Sequence, residues 1–299
     1  MKNSERERKE KVMKNKMIGV IGVEAFTSRV GIADKPIIFE RHIGSDVRRI
    51  PGNVLKNTMK NMWRMQCKKV FDVQQYYFLK TIEEQYKSVF GVENLKDKTD
   101  KEKVELLMNA VDIRNFGIIY PDGNINFGIR RTVDVFDGYS LYDNTVIKTE
   151  SKGEAQLCVT VDESYYFFPF IILPKNRKEL LKLGILDEYT EEDYNDFKQA
   201  AMSSVSFYGK TGEYNNKFAM FVEVNNDSGE LEKEILDYIE VSAENGKKVI
   251  DLSKLSEKWG HMEKWISKIE IYYDPNTTNL VLGKLNAQLF DIAEERRLF

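Results

Sequence analysis

The stretch RRIPGNVLKNTMKNMWR, Arg48 to Arg64, sets a turn-forming pair, Pro51-Gly52, directly ahead of a helical pattern. Asn is a favoured N-cap and Pro-Gly does not extend a helix backwards, so a helix is expected to start near Asn53. Val54, Leu55, Thr58, Met59 and Met62 give it an apolar face. The remaining positions are patterned too. Asn53, Asn57 and Asn61 form one row, and Lys56, Lys60 and Arg64 form the neighbouring row. At 3.6 residues per turn such rows drift by only about 40° per step. The helix start at Pro51–Asn53 adds unpaired backbone N–H groups and the positive end of a dipole, which together favour a phosphate. From this helix alone two readings stay open: a stripe that follows a phosphate backbone, with the amides beside it for sugar hydroxyls, or an ordinary solvated face.

Ahead of this helix, MIGVIGVEAF (Met17–Phe26) is short, apolar and β-branched, the signature of a core strand. A loop follows, with PIIFER as a further strand candidate. Behind the helix, VFDVQQYYFLKTIEEQYKSVF (Val70–Phe90) is amphipathic, whereas NLKDKTDKEKVE (Asn94–Glu105) is charged and expected to be exposed. DIRNFGIIY and INFGIRRTVDVF flank the turn Pro121–Asn124 and predict a hairpin. A second extended excursion covers Asp137–Glu150, and AQLCVTVDE with SYYFFPFIIL predict another strand pair. Thr190–Phe207 is the clearest helix, with Thr190 and Asp193 spaced as a capping box and acids in its first turn. After the loop YGKTGEYNN, Lys217–Val224 is a strand, and Lys268–Leu285 reads as a hairpin. Stripped of excursions the order is strand, helix, two strands, helix, strand. That is the ferredoxin-like order shared with RRM folds, an α+β architecture with an inserted β-hairpin and helical insertions, in which the segment between the third strand and the second helix is too long for a turn and is expected to be an insertion. The expected division is a charged flexible tail over 1–16 and one elaborated domain over 17–299, with the hairpin insertion at about 125–174.

Composition narrows the function. The chain has 299 residues, 42% of them hydrophobic and 12% aromatic, which supports a real core and excludes wholesale disorder. Lys and Arg number 45 against 48 Asp and Glu, so no whole-chain field favours nucleic acid and only local basic patches can. Cys67 and Cys158 stand far apart without a CxxC, which argues against a disulfide scaffold or a thiolate zinc site and fits a reducing cytoplasm. The longest apolar run, Tyr165–Pro174, contains Pro169 and is too short to span a membrane. The first sixteen residues lack the apolar core of a signal peptide.

Familiar catalytic signatures are missing. His42 and His261 each lack a ligand partner four residues on, and no GxSxG marks a nucleophile. The GKT of Tyr208–Gly212 has Ser204 where a P-loop needs its first glycine, and no GxGxxG follows a strand. Neither a metal nor a cofactor is expected. The basic residues gather at Arg48-Arg49, at the Lys56/Lys60/Arg64 row, at Arg114 and at Arg130-Arg131. The arginine pairs fall on expected strands, where neighbours point to opposite faces, so at most one of each pair joins a given surface.

RRIPGNVLKNTMKNM resembles the IPG-SSLKGALR signature of the RAMP superfamily of CRISPR RNA-binding proteins. Ile50, Pro51, Gly52, Leu55 and Lys56 match, while Asn57 replaces a glycine. Asp112–Gly117, DIRNFG, resembles the D-x-R-x-F-G element of the repeated backbone subunit of type I Cascade surveillance complexes, those of subtype I-B above all. In that family a hairpin insertion, an acidic-capped helix, an RS-x-x-G loop and a strand ending in VE follow in order. The same order runs here to about residue 225. Two elements differ: Ser204 and Ser206 stand where the loop arginine is usual, and TSRVGIADKP replaces the NPNGDP loop after the first strand.

The resemblance implies a non-catalytic subunit in antiviral defence whose copies line up along a CRISPR guide RNA. The palm would grip the guide's backbone without reading its bases. The hairpin near Phe136–Lys148 would act as a thumb that reaches a neighbouring copy. Partners would be the guide RNA, target DNA through guide pairing, further copies of the chain and other Cascade subunits, with no membrane. The expected RNA-binding residues are Arg48, Arg49, Asn53, Lys56, Asn57, Lys60, Arg64, Arg114, Arg130, Arg131 and Lys210. Two alternatives accompany this reading. One is a type III-like backbone subunit that cleaves bound target RNA with a metal ion through Asp34, upstream of the IPG motif. The other is a ferredoxin-like scaffold unrelated to CRISPR.

Overall fold

The computed structural model describes residues 12–32, 48–71, 82–94, 96–122, 125–143, 145–152, 155–162, 164–174, 177–186, 188–203, 205–206, 212–225 and 235–297. In chain order these form β1 (Lys16–Ile32), β2 (Arg49–Ile50), α1 (Gly52–Met65), α2 (Ile82–Phe90), α3 (Asp100–Leu107), α4 (Val111–Phe116), β3 (Ile118–Asp122) and β4 (Ile125–Ile129). Next come β5 (Val133–Val135), β6 (Gly138–Tyr142), β7 (Thr145–Lys152), β8 (Ala155–Asp162), β9 (Tyr165–Ile172), α5 (Lys178–Lys182), α6 (Glu191–Met202), β10 (Val205–Ser206) and β11 (Gly212–Val224). The chain closes with β12 (Glu240–Glu244), β13 (Lys247–Asp251), α7 (Ser253–Trp259), β14 (Ile266–Tyr273), β15 (Thr278–Val281), β16 (Gln288–Asp291) and α8 (Ile292–Arg297). It divides into two compact units. The larger holds Lys16–Met62, Val133–Ile172 and Gln199–Phe299; the smaller holds Met1–Asn15, Trp63–Thr132 and Leu173–Lys198. Among the described residues no helix is long and apolar enough to cross a membrane.

The larger unit is built on a sheet whose central order is β11-β1-β9-β6, with every neighbour antiparallel. Counting β1, β6, β9 and β11 as first to fourth, this is 4-1-3-2, the ferredoxin-like arrangement expected from the order of elements. β14 and then β16 extend the sheet beyond β11, and β2 ends it beyond β6. β1 continues past the palm to Ile32. Its outer half pairs with β8, which pairs in turn with β7, and this is the inserted hairpin. β8 and β9 are both strands, but each pairs with a different stretch of β1 rather than with the other: Thr27–Ile32 for β8 and Met17–Glu24 for β9. The hairpin proper is therefore 145–162, set between the second and third palm strands rather than between the third strand and the second helix, while 165–172, inside the expected insertion, is a central palm strand.

Alternation along these strands fills both faces of the sheet. Ile18, Val20, Phe167, Phe218, Met220, Val222, Ile269 and Ile271 point one way and pack with Ile239, Leu252, Leu255 and Trp259 of the C-terminal region. Met17, Ile21, Phe168, Phe170, Ala219 and Phe221 point the other way and are equally buried. Gly19 marks how tight this is, since a Cβ there would stand 2.0 Å from the Met220 carbonyl oxygen.

The smaller unit has its own core of Phe71, Tyr86, Val104, Leu107, Ile113, Ile118, Ile129 and Leu180. Phe71 meets Tyr86 edge-on at 5.1 Å, a favoured aromatic geometry. The hairpin expected around Pro121–Asn124 is present as β3 and β4.

Several expectations need correction. DIRNF forms α4 rather than a strand, because so short an apolar run is compatible with either period and tertiary ties decide it. Asn94–Glu105 was expected to be simply exposed. Instead Thr99 starts α3 with a reciprocal capping box to Glu102, and Val104 and Leu107 drop into the core. The helix of Thr190 has its capping box, with Asp193 accepting from the Thr190 amide at 3.1 Å, but it ends at Met202 rather than Phe207. β11 begins at Gly212, five residues before the expected Lys217. The hairpin expected over Lys268–Leu285 does not form: β15 pairs in parallel with β13. The Thr277 and Thr278 amides both bond the Asp274 carbonyl, a helical turn that leads the chain away from β14. In the tail, the Met13 amide bonds the Tyr189 carbonyl at 2.9 Å. PIIFER and residues 72–81 of the second amphipathic segment lie outside the described residues.

Candidate nucleic-acid interface

α1 begins at Gly52, one residue before the expected cap. Gly52 itself is required, because a Cβ there would lie 2.5 Å from the Val135 carbonyl oxygen and 2.6 Å from that of Phe136. The helix turns Leu55, Thr58, Met59 and Trp63 inward. Trp63 was not anticipated; its Nε1 donates to the Asp196 carbonyl at 3.0 Å. The outward side keeps the two polar rows. Asn53 and Asn61 are exposed, and Asn57, Lys56, Lys60 and Arg64 are half-buried. Lys56, Asn57, Lys60, Asn61 and Arg64 also take part in local polar or charge interactions. Over 14 residues the rows run about 21 Å along the surface.

The start of α1 is not an open anion site. Asp137, from the turn before β6, lies there: the Gly52 amide donates to its Oδ1 at 2.9 Å, and Arg49 Nε lies 3.2 Å from its Oδ2. One carboxylate thus serves as both helix cap and arginine partner, and the expectation of unclaimed N–H groups fails at Gly52. The sequence read Asp137-Gly138 only as the beginning of an extended excursion and gave no sign of this reach. Arg48 is also committed. Its amide donates to Ser140 Oγ at 3.1 Å, its carbonyl accepts from the Ser140 amide at 3.0 Å, and its Nη1 donates to the buried Ser164 Oγ at 3.2 Å. The arginine pair therefore fastens β2 and α1 to the β5–β6 turn and the strand ends.

In the smaller unit, Arg114, one of the expected RNA contacts, already has partners within the chain. It lies on α4, its Nε pairs with the carboxylate of the buried Asp193, and its Nη1 donates to the Met108 carbonyl at 3.3 Å. The rest of DIRNFG is structural as well. Asp112 accepts from the Phe71 amide at 2.8 Å, and Asn115 accepts from the Tyr189 hydroxyl at 2.7 Å. Gly117, at φ 64°, would place a Cβ 2.3 Å from the Ile129 carbonyl oxygen. Burial pushes the Tyr189 phenol well up, and the Asp193 charge adds to it. Burial likewise raises the Asp196 carboxyl, although its pairing with Lys68 pulls the other way. Arg177, which the sequence did not mark, donates Nη1 to the Arg130 carbonyl at 3.1 Å. Arg130 and Arg131 are exposed and follow β4, outside any strand, so the opposite-faces argument does not apply to them. Asp34, Lys210 and His42 lie outside the described residues.

Within the larger unit the structure thus brings together Arg48, Arg49 and the start of α1, and it lines Asn53, Lys56, Asn57 and Lys60 along the outward side of that helix. RRM-type binding on an open sheet face has no place here, since both faces are filled from within the chain.

No protein-family model and no curated protein sequence matches the chain. Among solved structures, a chain of one described as "CRISPR RNA-guided surveillance complex, pre-nicking" is similar at 9% identity, covering 94% of this chain and 99% of that one with a TM-score of 0.46. That is a likeness of chain path, and the functional reading rests on this chain's own residues.

Proposed function

We propose that this protein is a non-catalytic RNA-binding subunit that holds a guide RNA by its backbone, as the repeated subunit of a type I CRISPR surveillance complex would. One observation carries the reading: α1 presents rows of asparagine and of lysine and arginine outward from a ferredoxin-like palm whose sheet faces are both closed. Cations spaced one turn apart suit phosphates, and amides beside them suit 2′-hydroxyls, so the surface recognises a strand without reading its letters. The motif order along the chain and the hairpin carried between β6 and β9 support the same reading. Under it, further copies extend along the guide, other subunits complete the complex, and target DNA is selected by pairing with the guide.

The test is direct. Protein purified from cells that express a guide should carry RNA, visible as a raised 260/280 absorbance ratio that nuclease removes. Stripped protein should rebind single-stranded RNA of unrelated sequences equally well. Its affinity should fall with salt at a log–log slope on the order of −2 if Lys56, Lys60 and Arg64 each neutralise one phosphate. Protein free of nucleic acid that ignores RNA at low salt overturns the proposal.

A further inference from the structure

The long pair β1–β11 is not uniform. Its register shifts between Gly22 and Val23: Gly22 faces Phe218, Val23 faces Asn216, and Lys217 is the extra residue. This is a β-bulge, a device that bends a strand pair and sharpens its twist. It falls where the palm ends, since β9 pairs with β1 only as far as Glu24 and the hairpin strand β8 takes over from Thr27. Two residues beyond the bulge, past Glu24, the arm begins: the outer half of β1, the start of β11, and the β7–β8 hairpin.

The bulge is tied on three sides by side chains that the RNA-binding surface does not use. Lys217 Nζ pairs with Asp274 Oδ2 at 3.1 Å, at the end of β14. Asn216, only 2% exposed, donates Nδ2 to the Ala201 carbonyl at 2.6 Å, in the last turn of α6. Arg296 of α8 donates Nε to the Met202 carbonyl at 2.5 Å and Nη2 to the Asn216 carbonyl. Beneath the bulge Gly22 has no room for a side chain, since a Cβ would stand 2.9 Å from Phe218 Cβ and 3.2 Å from the Tyr165 hydroxyl. Both hydrogen bonds of the Arg296 guanidinium go to backbone carbonyls at the bulge, with the Asp274 and Asp291 charges nearby, and such charge-assisted bonds fix the bulge's geometry.

We infer that this bulge is a set elbow: Arg296, Asn216 and Lys217 lock its angle, so the chain's last helix aims the hairpin arm relative to the palm. A free bulge would let the arm swing about Gly22–Val23. A tied one holds the arm at one angle, whatever α1 binds.

The experiment measures that angle in the full chain. With Cys67→Ser and Cys158→Ser as background, spin labels at Lys152→Cys on the hairpin and Asp237→Cys on the palm side give one arm-to-palm distance distribution. The unaltered elbow should give a single narrow distribution. Arg296→Met should broaden it and shift its mean while the melting transition stays cooperative, and Arg296→Lys, which restores a donor, should narrow it again. Lys217→Ala, which removes a half-exposed side chain and leaves α8 intact, should broaden it to a lesser degree. Folded Arg296→Met and Lys217→Ala proteins that keep the original distribution overturn the inference. If Arg296→Met does not fold, Lys217→Ala decides alone.

Discussion

α1 and the DIRNFG segment look alike on paper, each a short motif with arginine or lysine beside apolar residues, and the fold uses them in opposite ways. On α1 the cations stay on the outward side, with the helix held from beneath by Leu55, Met59 and Trp63. In DIRNFG, Arg114 is drawn in to the buried Asp193, and Asp112 and Asn115 are consumed by the Phe71 amide and the Tyr189 hydroxyl. For Arg114 the cause is a carboxylate. α6 turns Asp193 inward opposite Arg114, and a buried carboxylate must find a cation or be neutralised. A basic residue in a motif can therefore be a packing residue when the fold sets a buried carboxylate against it.

The comparison breaks first at Arg114. Arg114→Ala should lower stability by about 3 kcal/mol, because it leaves Asp193 buried without its cation. Urea unfolding measures this, and the RNA affinity of the folded fraction should not change. A variant with normal stability and lost RNA binding would reverse the assignment of the two regions.

The complementary change is Lys56→Glu with Lys60→Glu. It should weaken RNA binding by roughly 100-fold at moderate salt, since two phosphate contacts become repulsions. The urea midpoint should move little, as surface substitutions usually stay within about 0.5 kcal/mol. Filter binding across a salt series checks both the loss and the shallower slope.

Asp137→Ala probes the boundary between the two uses, because it uncaps α1 and releases Arg49 together. It should cost about 1–2 kcal/mol. If the freed N–H and guanidinium become available to phosphate, RNA affinity should rise slightly at low salt, which titration calorimetry detects.

The smallest effect concerns Asp274, the partner of Lys217. Burial alone would raise its carboxyl, but hydrogen bonds from Lys217, the Asn276 amide and Thr277 outweigh burial and hold it below the ordinary carboxylate value. A depressed folded pKa adds stability that is present above the unfolded value near 3.9 and is lost as pH falls through the folded value. Asp274→Asn should therefore cost about 1 kcal/mol at neutral pH, and the difference from the unaltered chain should shrink below about pH 4. A difference that persists unchanged in acid would mean that Asp274 contributes through shape rather than charge.

Much of this was legible from residues close together in the chain. Periodicity alone gave the apolar face of α1 and its two polar rows, because helix geometry links residues three and four apart whatever surrounds them. The order of strands and helices gave the ferredoxin-like class, though not which strands fill it, since the insertion falls between the second and third palm strands, and Thr190 with Asp193 gave the start of α6. The failures share another cause. Asp137 at the head of α1, Asp193 against Arg114, and Arg296 on the bulge are pairings between residues 79 to 85 positions apart. β15 likewise chose β13 over the nearer β14. Sequence distance carries no information about such meetings.

The sequence by itself determined which residues lie on one side of each helix and strand, and so where a row of cations is offered. Only the tertiary structure decided that Arg114 meets Asp193, that Arg49 meets Asp137 and that Arg296 meets the bulge, because the carboxylates and carbonyls that hold a charge arrive from far along the chain.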